Sequence, residues 1–204
     1  MRHLPALRYL PVSLSQEKEN MKKLTATQEK SRKKKLKKIL ETLQSGTTPE
    51  ILEACKKLKE HGDAEAVPVM IDLLINHSDP ELVTEMKKIF KGLNDHEAIT
   101  PILNAVEQDI GTKNKIFLLS AIWESGLNAG KHIDQLTQIS TQAGNEEIIE
   151  ILTVVDYVDN EIPEKTLTEN LKLIRTAVEK EKNSETRKKL LLTYAEVLTE
   201  KLIG

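Results

Sequence analysis

Apolar residues recur at helical spacing from Thr27 to the end of the chain. The clearest stripe has the i, i+3, i+4, i+7 spacing of one helical face and consists of Leu36, Ile39, Leu40 and Leu43. Similar segments follow it, and residues that start or stop helices separate them, such as Ser45-Gly46, Gly111-Thr112 and Gly144-Asn145. The pattern predicts an all-α chain of about ten helices, each of roughly 12 to 18 residues, with no strands.

Two of the predicted helix starts combine a capping residue with a proline. In Thr48-Pro49-Glu50 and Asp79-Pro80-Glu81, the first residue is predicted to be the N-cap. The proline then takes the first helical position, where its missing N–H costs no hydrogen bond. Asp63 is predicted to cap a third helix, and the same alternation of helix and break continues at Asn94-Asp95. Because the loops between helices are short, we expect each helix to lie antiparallel to the preceding one.

The chain also contains an internal repeat. Residues 49–52, Pro-Glu-Ile-Leu, return 31 residues later as Pro-Glu-Leu-Val at 80–83. Val67 returns 32 residues later as Ile99 and, after a further 34 residues, as Ile133. One helix pair every 31 to 34 residues is typical of an α-solenoid. We call the first helix of each predicted pair the A helix and the second the B helix.

A family resemblance is carried by Ala66-Val67-Pro68-Val69-Met70-Ile71-Asp72-Leu73-Leu74, Asp79-Pro80-Glu81-Leu82-Val83 and Ile89-Phe90-Lys91-Gly92-Leu93. These segments resemble a HEAT-type repeat, in which an apolar B helix leads through an Asp-Pro-Glu turn into the next A helix. The resemblance is close for residues 48–110, weaker for 111–160 and faint for 163–204. It implies a right-handed, HEAT-like or armadillo-type α-solenoid of antiparallel helix pairs over residues 27–204. Residues 1–26 are then a disordered or spurious N-terminal extension.

The beginning of the chain has more than one interpretation. It superficially resembles a signal peptide, but Pro5, Arg8 and Pro11 interrupt the apolar run before it reaches the necessary length. Met21 is an alternative start, which would make residues 1–20 spurious. The single cysteine, Cys55, excludes an intrachain disulfide, and no run of about 20 apolar residues predicts a membrane span. We therefore expect a cytoplasmic protein.

The stacked B helices of a solenoid usually form its concave binding surface. Five and nine residues after Val67, Ile99 and Ile133, the chain carries polar side chains that share one helical face, opposite the core. This polar ladder consists of Asp72, Asn76, Asn104, Gln108, Gln138 and Gln142. Its amides and single carboxylate suit a protein or peptide partner. The alternative interpretation is an ordinary solvated surface, because exposed helix positions are normally polar.

A basic segment precedes the repeats. The nine basic residues between Met21 and Leu40 face a single acid, Glu29, and they include a candidate basic patch of Lys30, Arg32, Lys33, Lys34, Lys35, Lys37 and Lys38. Such a segment is the polar capping helix of a solenoid, a protein contact, or a binding site for nucleic acid or an anionic membrane. No aromatic residue lies between residues 21 and 40 to stack on bases. Capping is therefore the favoured interpretation.

The chain carries no recognisable catalytic, cofactor or metal motif. Its five histidines lack the spacing of a zinc site, and Gly126 to Gly130 is read as a helix end and turn, not a phosphate loop. Cys55 and Trp123 are predicted to be core residues. We therefore expect no catalytic residue, no cofactor and no metal.

The favoured function is a non-catalytic protein-interaction module or scaffold that binds an unidentified protein through the concave B-helix surface. One alternative is a nucleic-acid-binding helical-repeat protein that uses basic residues 22–38. A second is an accessory enzyme of the bilin-lyase-associated HEAT-like group, which the short repeats resemble. The net charge of −2 hides a strong asymmetry, because residues 1–40 carry +9 and residues 41–204 carry −11. A separate partner of the basic segment should therefore be acidic, and if the segment folds back, the acidic body of the chain is its expected target.

Overall fold

The computed structural model describes residues 26–61, 64–158 and 162–203, and all regular elements in these ranges are helices. The ten α-helices are α1 (Ala26–Ser45), α2 (Thr48–His61), α3 (Val67–Asn76), α4 (Pro80–Lys91), α5 (Ile99–Val106), α6 (Thr112–Glu124), α7 (Ile133–Ser140), α8 (Asn145–Asp156), α9 (Glu164–Lys180) and α10 (Glu185–Ile203). The prediction of an all-α chain with about ten helices is confirmed for these ranges. The predicted extension, residues 1–26, lies outside them except for Ala26.

The predicted Asp-Pro start of α4 is confirmed in detail. Asp79 Oδ1 accepts hydrogen bonds from the backbone N–H groups of Glu81 at 3.0 Å and Leu82 at 2.9 Å, and Pro80 is the first helical residue. The cap of α2 lies one residue earlier than predicted. Thr48 is already helical, and Glu50 Oε2 instead accepts hydrogen bonds from Thr47 N at 2.8 Å and Thr47 Oγ1 at 2.7 Å. Glu50 thereby supplies the reciprocal half of a capping box.

The B helices each begin with a 3₁₀ turn. Three-residue 3₁₀ turns, Ala64–Ala66, His96–Ala98 and Gly130–His132, precede α3, α5 and α7. Asp95 caps its turn, since its Oδ1 accepts a hydrogen bond from Glu97 N at 3.0 Å, but it does not cap α5 itself. Asp63 lies outside the described residues. Asp95 thus caps a helical segment whose first turn is 3₁₀ and whose α-helical part, α5, begins at Ile99.

Helices of the same parity contact each other in series. The even-numbered helices make successive contacts from α2 through α4, α6 and α8 to α10, and the odd-numbered helices do so from α1 through α3, α5 and α7 to α9. Each odd-numbered helix also contacts the even-numbered helix that follows it. One hydrophobic cluster runs through all of these contacts, from Leu36 in α1 to Leu198 in α10.

Hydrogen bonds link successive repeats at the spacing of the sequence repeat. Asp95 Oδ2 accepts a bond from Ala64 N at 3.3 Å, across 31 residues. One repeat later, His96 Nδ1 accepts a bond from Asn128 N at 3.0 Å, across 32 residues. In both cases the hydrogen bond joins residues in or next to the 3₁₀ turns of neighbouring repeats.

Two side chains of α10, Arg187 and Tyr194, connect the C-terminal helices to α7 and to the residues that follow it. The guanidinium of Arg187 donates from Nε to Ala143 O at 2.9 Å and from Nη2 to Thr141 O at 2.6 Å, and it also pairs with Glu181. The buried hydroxyl of Tyr194, in α10, lies 3.0 Å from that of Thr137, in α7. Burial raises the pKa of Tyr194. Because these carbonyls follow the last turn of α7, Arg187 acts as a C-terminal cap from a distant part of the chain.

Cys55 and Trp123 have different environments. Cys55 is fully buried in α2, which confirms the prediction of a core thiol. Trp123 is only partly buried; it packs against the core and also lies beside Tyr157, with ring centroids 5.9 Å apart. Its Nε1 donates a hydrogen bond to Glu150 Oε2 at 2.9 Å. The core prediction for Trp123 is therefore only partly correct.

The turn from Gly126 to Gly130 is a helix end, as predicted. Gly126 has a φ of 70°, a left-handed conformation that glycine adopts without strain. The N–H groups of Gly126 and Leu127 donate to the carbonyls of Trp123 and Ile122, which is the bond pattern of a Schellman motif at the end of α6.

Candidate functional site

The three central odd-numbered helices, α3, α5 and α7, share one pattern of buried positions. Val67, Ile99 and Ile133 are buried at their starts, and Met70, Ile102 and Leu136 are buried one turn later. These core positions match the predicted alignment of the B helices. Each helix therefore presents a corresponding exposed face, which we call the odd-helix face.

All six side chains of the polar ladder are exposed. Asp72, Asn104 and Gln138 lie within α3, α5 and α7, and Asn76 is the last residue of α3. Gln108 and Gln142 lie beyond the ends of α5 and α7. The prediction that both sets continue one helical face is therefore wrong at these two positions. The N–H groups of Gln108 and Gln142 bond to the carbonyls three residues earlier, at 3.0 Å each, so the chain has already left the α-helical register.

Two helices of the odd-helix face are joined by a side-chain hydrogen bond. Gln135 Nε2, in α7, donates to Asn104 Oδ1, in α5, at 3.1 Å. The bond spans 31 residues and fixes the orientation of the Asn104 side chain on the surface. Asn104 is thus a preorganised member of the ladder, which lowers the entropy cost of binding a partner there.

The charge of the odd-helix face differs from that of the helices at either end of the series. The ranges Val67–Asn76, Ile99–Val106 and Ile133–Ser140 contain no Lys or Arg, and they expose the carboxylates of Asp72 and Asp134. By contrast, α1 and α9 both carry several basic residues. The three central helices are therefore neutral to acidic, whereas α1, with seven basic and two acidic residues, is strongly basic, and α9, with four basic and three acidic ones, is nearly balanced.

One exposed apolar side chain lies on the same surface. Ile75 is 37% exposed and stands between Asp72 and Asn76 on the last turns of α3. Sequence reasoning missed this residue, although its position outside the buried stripe of Met70 and Leu74 could have identified it. An apolar side chain among polar groups is a common anchor for a protein partner.

A groove of about 350 Å³ brings two ladder residues together. It lies where the C-terminal ends of α5 and α7 meet the N-terminal parts of α6 and α8. Gln138 and Gln142 line it together with Val106, Lys115, Ala143 and Glu147. Glu147 is itself held in place, because its Oε2 accepts a hydrogen bond from Gly144 N at 2.6 Å. The groove combines apolar walls with amide and carboxylate groups, as small recognition pockets do.

The candidate basic patch lies on α1. Its lysines, Lys30, Lys33, Lys34, Lys35, Lys37 and Lys38, are all exposed. Arg32 is only half-exposed and lies 3.5 Å from the carboxylate of Glu29. The opposite side of α1 is docked, with Leu36 and Leu43 fully buried. At 100° per residue, the six lysines therefore surround the whole solvent-facing side of the helix.

Within the described ranges, no three His, Cys, Asp or Glu side chains converge as metal ligands. His132 is partly buried, and this burial lowers its pKa. Of the helices that the structure describes, none is both long and apolar enough to cross a bilayer. Comparisons of the chain with protein-family models, curated proteins and solved structures give no match.

Proposed function

We propose that residues 27–204 form a right-handed α-solenoid of HEAT-like helix pairs and act as a non-catalytic protein-interaction module or scaffold. Two observations support the architecture. Helices of the same parity contact each other in series, as stacked repeats require. Hydrogen bonds also join residues in or next to the 3₁₀ turns of neighbouring repeats, across 31 and 32 residues, which is the spacing of the sequence repeat. In this architecture the odd-numbered helices are the B helices, and their exposed face is concave.

The partner is a protein that binds the odd-helix face. The observation that carries this proposal is the composition of that face: exposed amides and carboxylates, the apolar Ile75, and no cation in α3, α5 or α7. A nucleic-acid partner requires Lys and Arg side chains to neutralise its phosphates. A protein partner instead requires hydrogen-bonding groups around apolar anchors, which Asn104, Gln138 and Ile75 provide.

Affinity capture with two matched variants tests this proposal. The ladder variant carries Asp72→Arg, Asn104→Arg and Gln138→Arg, three exposed substitutions that raise the net charge by four units. The control variant carries Thr84→Arg, Thr112→Arg and Glu146→Arg, which are exposed positions on even-numbered helices and raise the charge equally. Tagged wild type, ladder variant and control variant are used in parallel, at mild salt, with quantitative mass spectrometry of the captured proteins.

We expect one or more proteins to be captured by wild type and by the control variant, and to fall at least tenfold with the ladder variant. Circular dichroism must show the same helix content for all three proteins. Equal capture by the ladder variant would exclude the odd-helix face as the binding surface. Loss with the control variant alone would place the binding surface on the even-numbered helices.

A further inference from the structure

A second groove lies between α1 and α2, on a different surface from the odd-helix face. Its volume is about 660 Å³, and the described residues that line it all belong to these two helices. The helices α1 and α2 begin the odd and even series, and their described neighbours are α3 and α4. Among the described helices, the groove therefore lies at the α1–α2 end of the array, where one further helix would continue the stack.

The floor of this groove is apolar. Ile39 of α1 and Ala54 of α2 line it, and Thr42 and Pro49 extend it along the two helices. The hydrocarbon stems of Lys35 and Lys38 add apolar surface at the rim, while their ammonium groups reach solvent. A helix with one apolar face would cover this floor.

The charge that the groove offers to a partner is positive. Both acidic residues of its lining already have partners within the chain. Glu50 accepts two hydrogen bonds from Thr47, which lower its pKa, and Glu53 lies 3.6 Å from Lys57 and 4.0 Å from Lys56. This leaves the lysine rim as the group that a ligand would neutralise.

The two lysines at the rim of the groove, Lys35 and Lys38, differ from Glu50 and Glu53 in this respect. In the described part of the chain, neither Lys35 nor Lys38 forms an ion pair with a carboxylate. Both are exposed, and Lys34 adds charge beside them on the solvent side of α1. Helix α1 carries seven basic and two acidic residues and α2 carries three of each, so the field around the groove attracts acidic groups.

We propose that the groove between α1 and α2 binds one acidic amphipathic helix of a partner protein. The apolar face of that helix covers Ile39 and Ala54, and its carboxylates pair with Lys35 and Lys38. A helix fits because both walls are helices, and helices pack side by side at about 8 to 10 Å between axes. The apolar floor distinguishes this groove from a nucleic-acid-binding surface that acts through positive charge alone.

Charge reversal on the two sides of α1 provides the test. Lys35→Glu with Lys38→Glu alters the groove side, whereas Lys33→Glu with Lys37→Glu alters positions about 150° away around the helix. Both double variants change the net charge by −4. The ion pair of Lys37 with Glu41, at 3.9 Å, is exposed, so its loss costs little stability. Thermal unfolding followed by circular dichroism shows whether both variants fold.

The probe is a fluorescein-labelled helical peptide with a leucine stripe flanked by glutamates, and binding to the full chain is measured by fluorescence anisotropy. A peptide of the same composition without the stripe is the first control, and a 20-nucleotide single-stranded DNA is the second. We expect the striped peptide to bind at least tenfold more tightly than the scrambled one. Lys35→Glu with Lys38→Glu should weaken binding at least tenfold, and Lys33→Glu with Lys37→Glu less than threefold.

Four results would overturn the proposal. Failure of the striped peptide to bind the folded wild type would exclude the site. Equal binding of the striped and scrambled peptides, or equal losses in the two double variants, would reduce it to unspecific attraction by the lysines of α1. Tighter binding of the DNA than of the striped peptide would assign the basic helix to nucleic acid.

Discussion

Helix α1 packs into the core in the same way as the three central odd-numbered helices, α3, α5 and α7, but it exposes side chains of a different charge. Leu36 and Leu43 of α1 are as fully buried as Ile99 of α5 and Leu136 of α7. Yet α1 exposes six lysines, whereas α3, α5 and α7 contain no basic residue. The buried stripe determines where a helix docks, and the exposed residues determine what it can bind. Two helices of one series can therefore serve partners of different chemistry.

The same difference is visible in the charge of whole segments. Residues 1–40 carry +9, residues 41–163 carry −13 and residues 164–204 carry +2. The acidic part of the chain is thus its middle, and the C-terminal helices do not share it. A basic partner is attracted to the central region and repelled from α1, which keeps the two proposed sites distinct.

The largest expected effect compares buried leucines in the two regions. Leu103, in α5, and Leu43, in α1, are both fully buried. We expect Leu103→Ala to lower the free energy of unfolding by about 3 to 4 kcal/mol, because it leaves a cavity between several helices. Leu43→Ala should lower the global value by less, since an end helix can detach alone.

Urea unfolding measured by circular dichroism gives the global values, and amide hydrogen exchange reports the local opening of α1. Leu43→Ala should accelerate exchange in α1 more than in α5. The contradicting result is that the two substitutions lower the global free energy of unfolding equally and accelerate amide exchange uniformly. That result would show that α1 is as integral to the fold as the central helices.

A smaller effect is expected where the C-terminal helices hold the central region. Arg187→Ala removes the donors to Thr141 O and Ala143 O and leaves Glu181 without its cation. We expect a loss of about 2 kcal/mol in the free energy of unfolding, because hydrogen bonds from charged donors are worth more than neutral ones. For a chain of this length that corresponds to about 4 to 8 °C in Tm.

Differential scanning calorimetry measures this shift, with Arg175→Ala as the matched control, because Arg175 is an exposed arginine of α9. A Tm change in the control as large as that in Arg187→Ala would contradict the specific role of the Arg187 contacts.

The smallest expected effect is on the pH dependence of stability. Hydrogen bonds from Asn183 N, Arg187 and Ser184 N hold the pKa of Glu181 below its ordinary value of 4.5. The carboxylate therefore contributes stability above about pH 4.5, and this contribution is lost as the pH falls through the lower pKa of the folded state. Glu181→Gln should show a shallower loss of stability than wild type below that pH. Urea midpoints measured from pH 6 to pH 3 test this, and identical slopes would contradict it.

Sequence reasoning succeeded where the determinants are local. The start of α4 follows from Asp79 and Pro80 alone, and the buried stripe of α1 follows from the spacing of its leucines and isoleucine. It failed where distant residues decide. Asp95 Oδ2 accepts a hydrogen bond from Ala64 N, which lies 31 residues earlier in the chain. No local pattern indicates that bond.

The polar ladder shows the same difference between features that local sequence determines and features that distant residues determine. The exposure of its residues follows from helical periodicity, so Asp72, Asn104 and Gln138 were placed correctly. The early ends of α5 and α7 displace Gln108 and Gln142 from the helices. For α7, that end is capped by Arg187, which lies more than 40 residues away along the chain. Contacts of this kind arise only once the helices are packed.

The central claim, that a protein partner binds the odd-helix face, is tested most directly by hydrogen exchange of the protein with and without its captured partner. We expect the partner to slow exchange in Val67–Asn76, Ile99–Val106 and Ile133–Ser140 and to leave exchange in Pro80–Lys91, Thr112–Glu124 and Asn145–Asp156 nearly unchanged. Slowing confined to the even-numbered helices, or to Ala26–Ser45 alone, would contradict it.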